Sequence, residues 1–396
     1  RSGRLETKRP LDTLPRMTAD AMRRLLDHVG EALEGMGPFD SAQEEADAHR
    51  HLLRLCSAGL ELYVERADPA RPLPTVWMSP TRKFLGDSPD TIYTTVPVSP
   101  DHTYALTIQP GNAVYIGVVV YARDEPGGPV RAVSSVIDTR LESVDGRFEI
   151  EVGSDVDPDD PQGLLLDDRS FWIMVREYFS DPRNHRASTI TIERTDGDIT
   201  DGLPNPDDLT AGIDAAADWI LSQARADAAL YGLMAFPQGS SVQAEQDVEV
   251  PDDLVSLFYP TPDIAYQGCR FTLETDDQLE ITFRPPACRF WSVVVSTPWF
   301  ESLEQRSTPA SINSATAEVD EDGKVTVVVS ESNPGLANWI PLRGYRKGQV
   351  AYRVLLGESE LSEATYVVGT NRRSGDSEPL AVLATTKLDG RDDGGR

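Results

Sequence analysis

Histidine is scarce, with five in a chain of 396 residues and none after His185. The C-terminal half therefore cannot build a histidine-bound metal site from its own residues, which removes the cupin type of metal enzyme as a reading of that half. His49 and His51 stand close in sequence, but two positions apart on a helix they diverge by about 200°, too far to grip one ion. Glu45 with His49, and Asp47 with His51, stand four residues apart and read as exposed ion pairs. His102 in a turn and His185 in a polar segment read as solvated. No metal and no cofactor are expected.

Cysteine is almost as rare. Cys56, Cys269 and Cys288 are too few for a disulfide framework, and three buried free thiols are preferred over a Cys269–Cys288 pair. No apolar run approaches the roughly 20 residues of a membrane helix, so no span is expected, and Val114 to Tyr121 reads as a buried strand. Missing too are a G-x-S-x-G elbow, a Walker A loop, a dinucleotide-binding glycine pattern and an H-E-x-x-H helix, so the corresponding hydrolase, nucleotide and zincin readings lose their support. Asp155 to Asp160 begins like a calcium loop, then places Asp160 and Leu166 where Gly and Glu belong. No secretory leader pattern is present, and a cytoplasmic location is expected.

Positive charge is outweighed. Lys and Arg number 37 against 65 Asp and Glu, a net of −28, with the acids spread along the chain. Phosphate backbones and anionic lipid would be repelled, so nucleic acid is not an expected partner. A small ligand that is uncharged or cationic suits such a surface, and a homo-oligomer is compatible with it. With 65 acids, no catalytic carboxylate pair can be singled out. The abundance of arginine over lysine suits a GC-rich, bacterial genome.

Periodicity organises what is present. Met22, Leu25, Leu26, Val29 and Leu33 recur at helical spacing behind Thr18 as N-cap, and Ser41 with Glu44 forms a capping box before Leu52, Leu55 and Leu62. These predict an N-terminal helical hairpin. Period-two and β-branched runs then predict strands over 91–98, 103–108, 114–121, 130–137, 148–152, 171–176 and 189–194. Thr210 caps a predicted bridging helix reaching about Tyr231. A second β region follows, with strands over 270–274, 279–283, 290–296, 316–319, 324–330 and 349–356 and a hairpin turn at Asp322-Gly323.

The expected organisation is a leader at 1–16, helices at 17–70, a first β-sandwich at 71–208, a bridging helix and linker at 209–262, a second β-sandwich at 263–369 and a tail at 370–396. The fold class is mainly β with added helices.

Gly86-Asp87-Ser88-Pro89-Asp90-Thr91-Ile92-Tyr93 resembles the motif of domain of unknown function 1254. Phe290-Trp291-Ser292, Asp320 to Gly323, Asn338-Trp339-Ile340-Pro341 and Arg353 resemble the companion domain of unknown function 1214. The resemblance covers most of 72–358 and implies an immunoglobulin-like sandwich followed by a jelly-roll-like one, with no established activity. Ser88 stands where Asn is expected, and Leu342-Arg343-Gly344 replaces a proline-rich stretch.

Two explanations of these residues stay open. Asp90 can build a turn into a strand, and Trp291 and Trp339 can be core anchors. Alternatively Arg82, Asp90, Tyr93, Trp291, Asn338, Trp339 and Arg353 line a ligand cleft between the sandwiches, an enzyme without a tightly bound metal being one version. The competing reading is a non-catalytic interaction or assembly protein.

Overall fold

The computed structural model describes residues 17–197, 205–233, 256–357, 364–370 and 378–380. The expected leader, the acidic stretch at 239–252 and the end of the tail lie outside them.

Helix α1 (Met17–Gly35) already contains Thr18, whose hydroxyl meets that of Thr210 at 3.0 Å instead of capping. Ala21, Leu25 and Ala32 face inward while Met22, Leu26 and Leu33 are exposed, so its apolar residues divide between two faces. Helix α2 (Ala42–Leu60) opens as expected, Ser41 accepting the Glu44 N–H, and runs on into a π turn at Glu61–Glu65. Helix α3 (Pro206–Leu233) starts four residues before Thr210. Proline suits a first turn because its missing N–H has no helical partner there, and the Asn205 side chain accepts the Asp207 N–H. The Thr210 hydroxyl donates to the Pro206 carbonyl instead. Both N-terminal helices pack chiefly on α3.

Ten strands lie between α2 and α3 among the described residues: β1 (Thr75–Met78), β2 (Thr91–Pro97), β3 (Tyr104–Gln109), β4 (Tyr115–Ala122), β5 (Arg131–Ile137), β6 (Ser143–Val144), β7 (Arg147–Gly153), β8 (Gly163–Leu165), β9 (Ser170–Tyr178) and β10 (Thr189–Arg194). They form two sheets, ordered β1-β2-β9-β4-β5 and β10-β3-β7-β6, with β8 parallel to β7. After α3 come β11 (Ile264–Thr272), β12 (Asp277–Phe283), β13 (Phe290–Ser296), β14 (Ser311–Asn313), β15 (Val325–Ser330), β16 (Trp339–Pro341), β17 (Lys347–Leu355), β18 (Thr365–Thr370) and β19 (Glu378–Leu380). Their sheets run β11-β17-β13-β14 and β16-β15-β12-β18-β19.

Each pair of sheets closes on its own core. Leu106, Val118, Ile150 and Val175 meet in the first sandwich, and Phe283, Val293, Val327 and Tyr352 in the second. β3 and β7 alternate buried and exposed residues, as strands with one wet face must. β4 and β13 are buried along their whole length, which requires cover on both faces. For β4 that cover is shared. Toward one end the outer face of its sheet carries Trp77, Tyr121, Trp172 and Met174 against helical residues such as Trp219 and Ile220. Toward the other, Tyr115, Ile137 and Tyr178 meet Ile264, Phe290 and Leu355 of the second sandwich.

The predicted strand at 316–319 is absent. The Asn313 side chain accepts the N–H groups of Ala315 and Thr316, turning the chain there, so Asp320 to Lys324 is a local turn with Gly323 at φ 76° and not the tip of a hairpin. The three thiols are free, with Cys269 buried and Cys56 and Cys288 half-buried. Among the described residues no helix is long and apolar enough to cross a membrane.

Phe290 is 1 % exposed in the seam between the sandwiches. Phe290→Ala leaves a cavity there and costs about 3–5 kcal/mol. Urea unfolding should show a lower midpoint at unchanged slope.

Candidate functional site between the sandwiches

Strand alternation sets the seam. In β17, Val350, Tyr352 and Val354 enter the second core, so Arg353 points the other way, toward the first sandwich. Register places Tyr266 of β11 and Ser292 of β13 on either side of Arg353, and Asn313 of β14 beyond Ser292. In β9, Val175 enters the first core and Arg176 faces out, flanked by Tyr93 of β2 and Gly117 of β4. Gly117 leaves room at this rung for the Tyr115 side chain, whose hydroxyl would stand 2.3 Å from an added Cβ. Two polar rungs thus face one another in an interface closed to solvent, with Arg353 4 %, Arg176 6 % and Ser292 0 % exposed.

The guanidiniums have sparse protein company. Arg353 Nη2 donates to the Gly86 carbonyl, and its carbon lies 5.7 Å from the Tyr266 ring centroid. Arg176 Nη2 donates to the Tyr259 carbonyl at 2.7 Å, with the Tyr121 ring 5.6 Å away. Among the described residues neither has a carboxylate within ion-pair distance. Burial works against both charges, yet both pKa values are raised, by Tyr121, Tyr266 and Tyr178 around Arg176 and by Tyr93, Tyr178 and Tyr266 around Arg353.

Asp90 ties the sandwiches together. Its Oδ1 accepts the Ser311 hydroxyl and an Asn313 amide N–H, each at 3.0 Å, while its carbonyl accepts the Phe179 N–H at 2.8 Å. Burial lifts the carboxyl to about 6, and Asn313, Ser311 and Arg353 restrain the rise. Among the described residues, five polar atoms around this seam have no protein partner: Asp90 Oδ2, Thr91 Oγ1, Arg176 Nη1, Ser292 Oγ and Arg353 Nε. Buried polar atoms are nearly always paired, with protein or with ordered water, so these five stand out.

A second buried network holds the helices to the second sandwich. His51, expected to pair with Asp47 at the surface, is fully buried, and Asp47 pairs with Arg50. His51 Nδ1 meets Glu301 at 2.9 Å and Nε2 meets Asp227 at 2.8 Å, with the ring stacked on Trp299. Burial lowers the imidazole pKa, yet the hydrogen bonds to Asp227 and Glu301 prevail and lift it to about 9. The carboxylates occupy opposite ring nitrogens, so they cannot converge on one ion with it. Nearby, Lys83 donates to the Ser302 and Leu303 carbonyls at 2.8 and 2.6 Å, and Asp87 accepts the Ser302 N–H at 2.8 Å.

Of the residues expected at a cleft, the structure brings together Asp90, Tyr93 and Arg353. Trp291 points into the second core against Phe283, because it sits one residue from Ser292 in a strand. Asn338 lies in the same sandwich, bonding Glu318 and the Thr326 carbonyl, and the Trp339 indole donates to Ser330 on the sheet remote from the seam. Arg82 borders a separate surface depression of about 450 Å³ with Arg50 and Arg54, each already paired, to Glu61, Asp47 and Glu301 respectively. Arg176, Tyr178 and Tyr266 were missed. The signal for Arg176 was present, a cation directly after the apolar run Phe171 to Val175 and within the same strand.

Residues 258–358 match the family model described as Protein of unknown function (DUF1214), a segment that includes Ser292, Asn313 and Arg353. The chain is similar to the crystal structure of an uncharacterised protein from Burkholderia cenocepacia, at 25% identity and a TM-score of 0.78, over 90% of this chain and 97% of that one. It also aligns with the VPA0106 protein from Vibrio parahaemolyticus at 12% identity and a TM-score of 0.46, over 85% and 98% of the two chains. No curated protein matches it.

Asp90 ionises near 3.8 when exposed and at about 6 in the fold. Between those values the folded state holds the extra proton, so this group makes stability fall as pH rises through the window. Asp90→Asn removes that contribution. Urea unfolding from pH 4 to pH 7 should show the wild-type decline exceeding that of the variant, and a constant difference between them would contradict the assignment.

Proposed function

We propose that the chain binds a small molecule in the seam between its two β-sandwiches. The observation that carries this is the clustering of unpartnered buried polar atoms on facing rungs, Arg176 and Arg353 among them. Ligand sites combine apolar walls with a few convergent polar groups, and here buried Tyr93, Tyr178 and Phe290 with half-buried Tyr266 supply the walls. The expectation of an uncharged or cationic ligand came from the acidic exterior, whereas the seam itself carries more positive than negative groups. The reading treats the Gly86 to Tyr93 segment as part of the companion domain 1254, an N-terminal partner to the matched segment at 258–358. It assigns no reaction.

The test is a thermal-shift screen of neutral, cationic and anionic compounds on wild type and on Ser292→Val, whose added bulk enters the seam. At least one compound should stabilise wild type, by RT ln(1 + [L]/Kd), and lose that effect in the folded variant. If every compound acts equally on both proteins, the reading fails.

A second reading, self-assembly, rests on α1, where Met22, Leu26 and Leu33 are 45 %, 66 % and 43 % exposed along one side. On this reading sedimentation finds wild type as an oligomer and Leu26→Glu as a monomer. A monomeric wild type would remove it.

A further inference from the structure

The reading of the seam as a binding site leaves open what enters it, and its charges are informative. A guanidinium taken out of water costs several kcal/mol unless it is paired. At the edge of the same interface this condition is met: Arg289 holds Asp138 through two bonds of 2.8 and 2.6 Å. Deeper in, Arg176 and Arg353 each have one backbone carbonyl, an aromatic ring and a tyrosine hydrogen bond, with Tyr121 and Tyr93 respectively, and among the described residues Arg176 Nη1 and Arg353 Nε have no partner. Asp90 does not neutralise them directly, since its Oδ1 is taken up by Ser311 and Asn313. Two cations and one carboxylate therefore share a layer with little access to bulk solvent.

We infer that the occupant of this seam is a small monoanionic carboxylate, held by Arg353 and Arg176 and carrying an O–H or N–H that donates to Asp90 Oδ2. This inference rests on the seam being a binding site. Carboxylate geometry suits the guanidinium fork. A dianion such as phosphate fits less well, because repulsion from Asp90 grows with the occupant's charge. The unpartnered Asp90 oxygen favours an occupant with a hydrogen to give. A small occupant suits the lining, in which Asp90, Arg176, Ser292 and Arg353 are buried and Thr91 and Tyr266 half-buried. The net charge of −28 also means that selection for an anion resides within the seam, the exterior opposing it.

The experiment titrates the full chain at pH 7 with glycolate, acetate, acetamide and inorganic phosphate, followed by calorimetry and thermal shift. Glycolate should bind saturably and more tightly than acetate, phosphate more weakly than either, and acetamide not measurably. Arg353→Gln and Arg176→Gln should each weaken glycolate by about tenfold or more, the usual weight of a charge-assisted bond. Arg353→Lys keeps the cation and should retain part of the binding, which guards against a Gln variant that fails to fold. Asp90→Asn should erase the preference for glycolate over acetate. Stabilisation that rises without saturation and is the same in every variant is a general salt effect and overturns the inference. So does binding that depends on Ser292 but is confined to neutral or cationic compounds, an outcome that leaves the seam itself standing as a site.

Discussion

Arg176 and Arg353 lie between two β-sandwiches with no carboxylate among the described residues to pair them, and much of the surrounding structure follows from keeping them there. A buried charge without a counter-charge is among the most expensive features a fold can contain. Its cost must be offset by what surrounds it. Here the rings of Tyr121 and Tyr266 lie beside the guanidiniums of Arg176 and Arg353, Tyr121 and Tyr93 hydrogen-bond them, and backbone carbonyls of Tyr259 and Gly86 accept from them. Both carbonyls belong to connecting segments and not to strands, so the loops next to the seam have defined work to do.

Those loops are tightly fixed. The Gly86 N–H donates to the Phe300 carbonyl at 2.8 Å, and Leu85, Phe300 and Tyr259 all hold positive φ, between 53° and 57°. Non-glycine residues in that region cost about 1–3 kcal/mol each and persist only where their surroundings over-determine them. The surroundings here are the Lys83 and Asp87 contacts with Ser302 and the His51, Asp227 and Glu301 network, which bring helices, first sandwich and second sandwich to one short segment after β13. The imidazole is cationic below about 9, so its contribution to stability is complete below the ordinary value of 6.5 and is lost as pH rises through 9. The helices thus share in holding the second sandwich against the first.

Much of the fold was legible from periodicity. Residues 189–194 and 290–296 were expected as strands and are β10 and β13 at the same bounds. The boundaries that moved did so for local reasons: Pro206 begins a helix that Thr210 was expected to cap, and Asn313 makes a turn where β-branched residues suggested a strand. The site was legible in part. Asp90, Tyr93 and Arg353 meet, because buried polar side chains must be answered somewhere. Trp291, Asn338 and Trp339 do not join them, since sequence shows that faces alternate but not which face a second sheet will cover. One position decides between Trp291 in a core and Ser292 in the seam. His51 looked like a surface residue because its partners, Asp227 and Glu301, lie 176 and 250 residues away.

The most direct measurement is a crystal structure of the protein at a resolution that resolves individual waters and small anions. The account predicts ordered non-protein density in contact with Arg353 Nε and Arg176 Nη1, within reach of Asp90 Oδ2. Guanidiniums found paired directly with Asp90 or another carboxylate of the chain, with no additional density beside them, would contradict it.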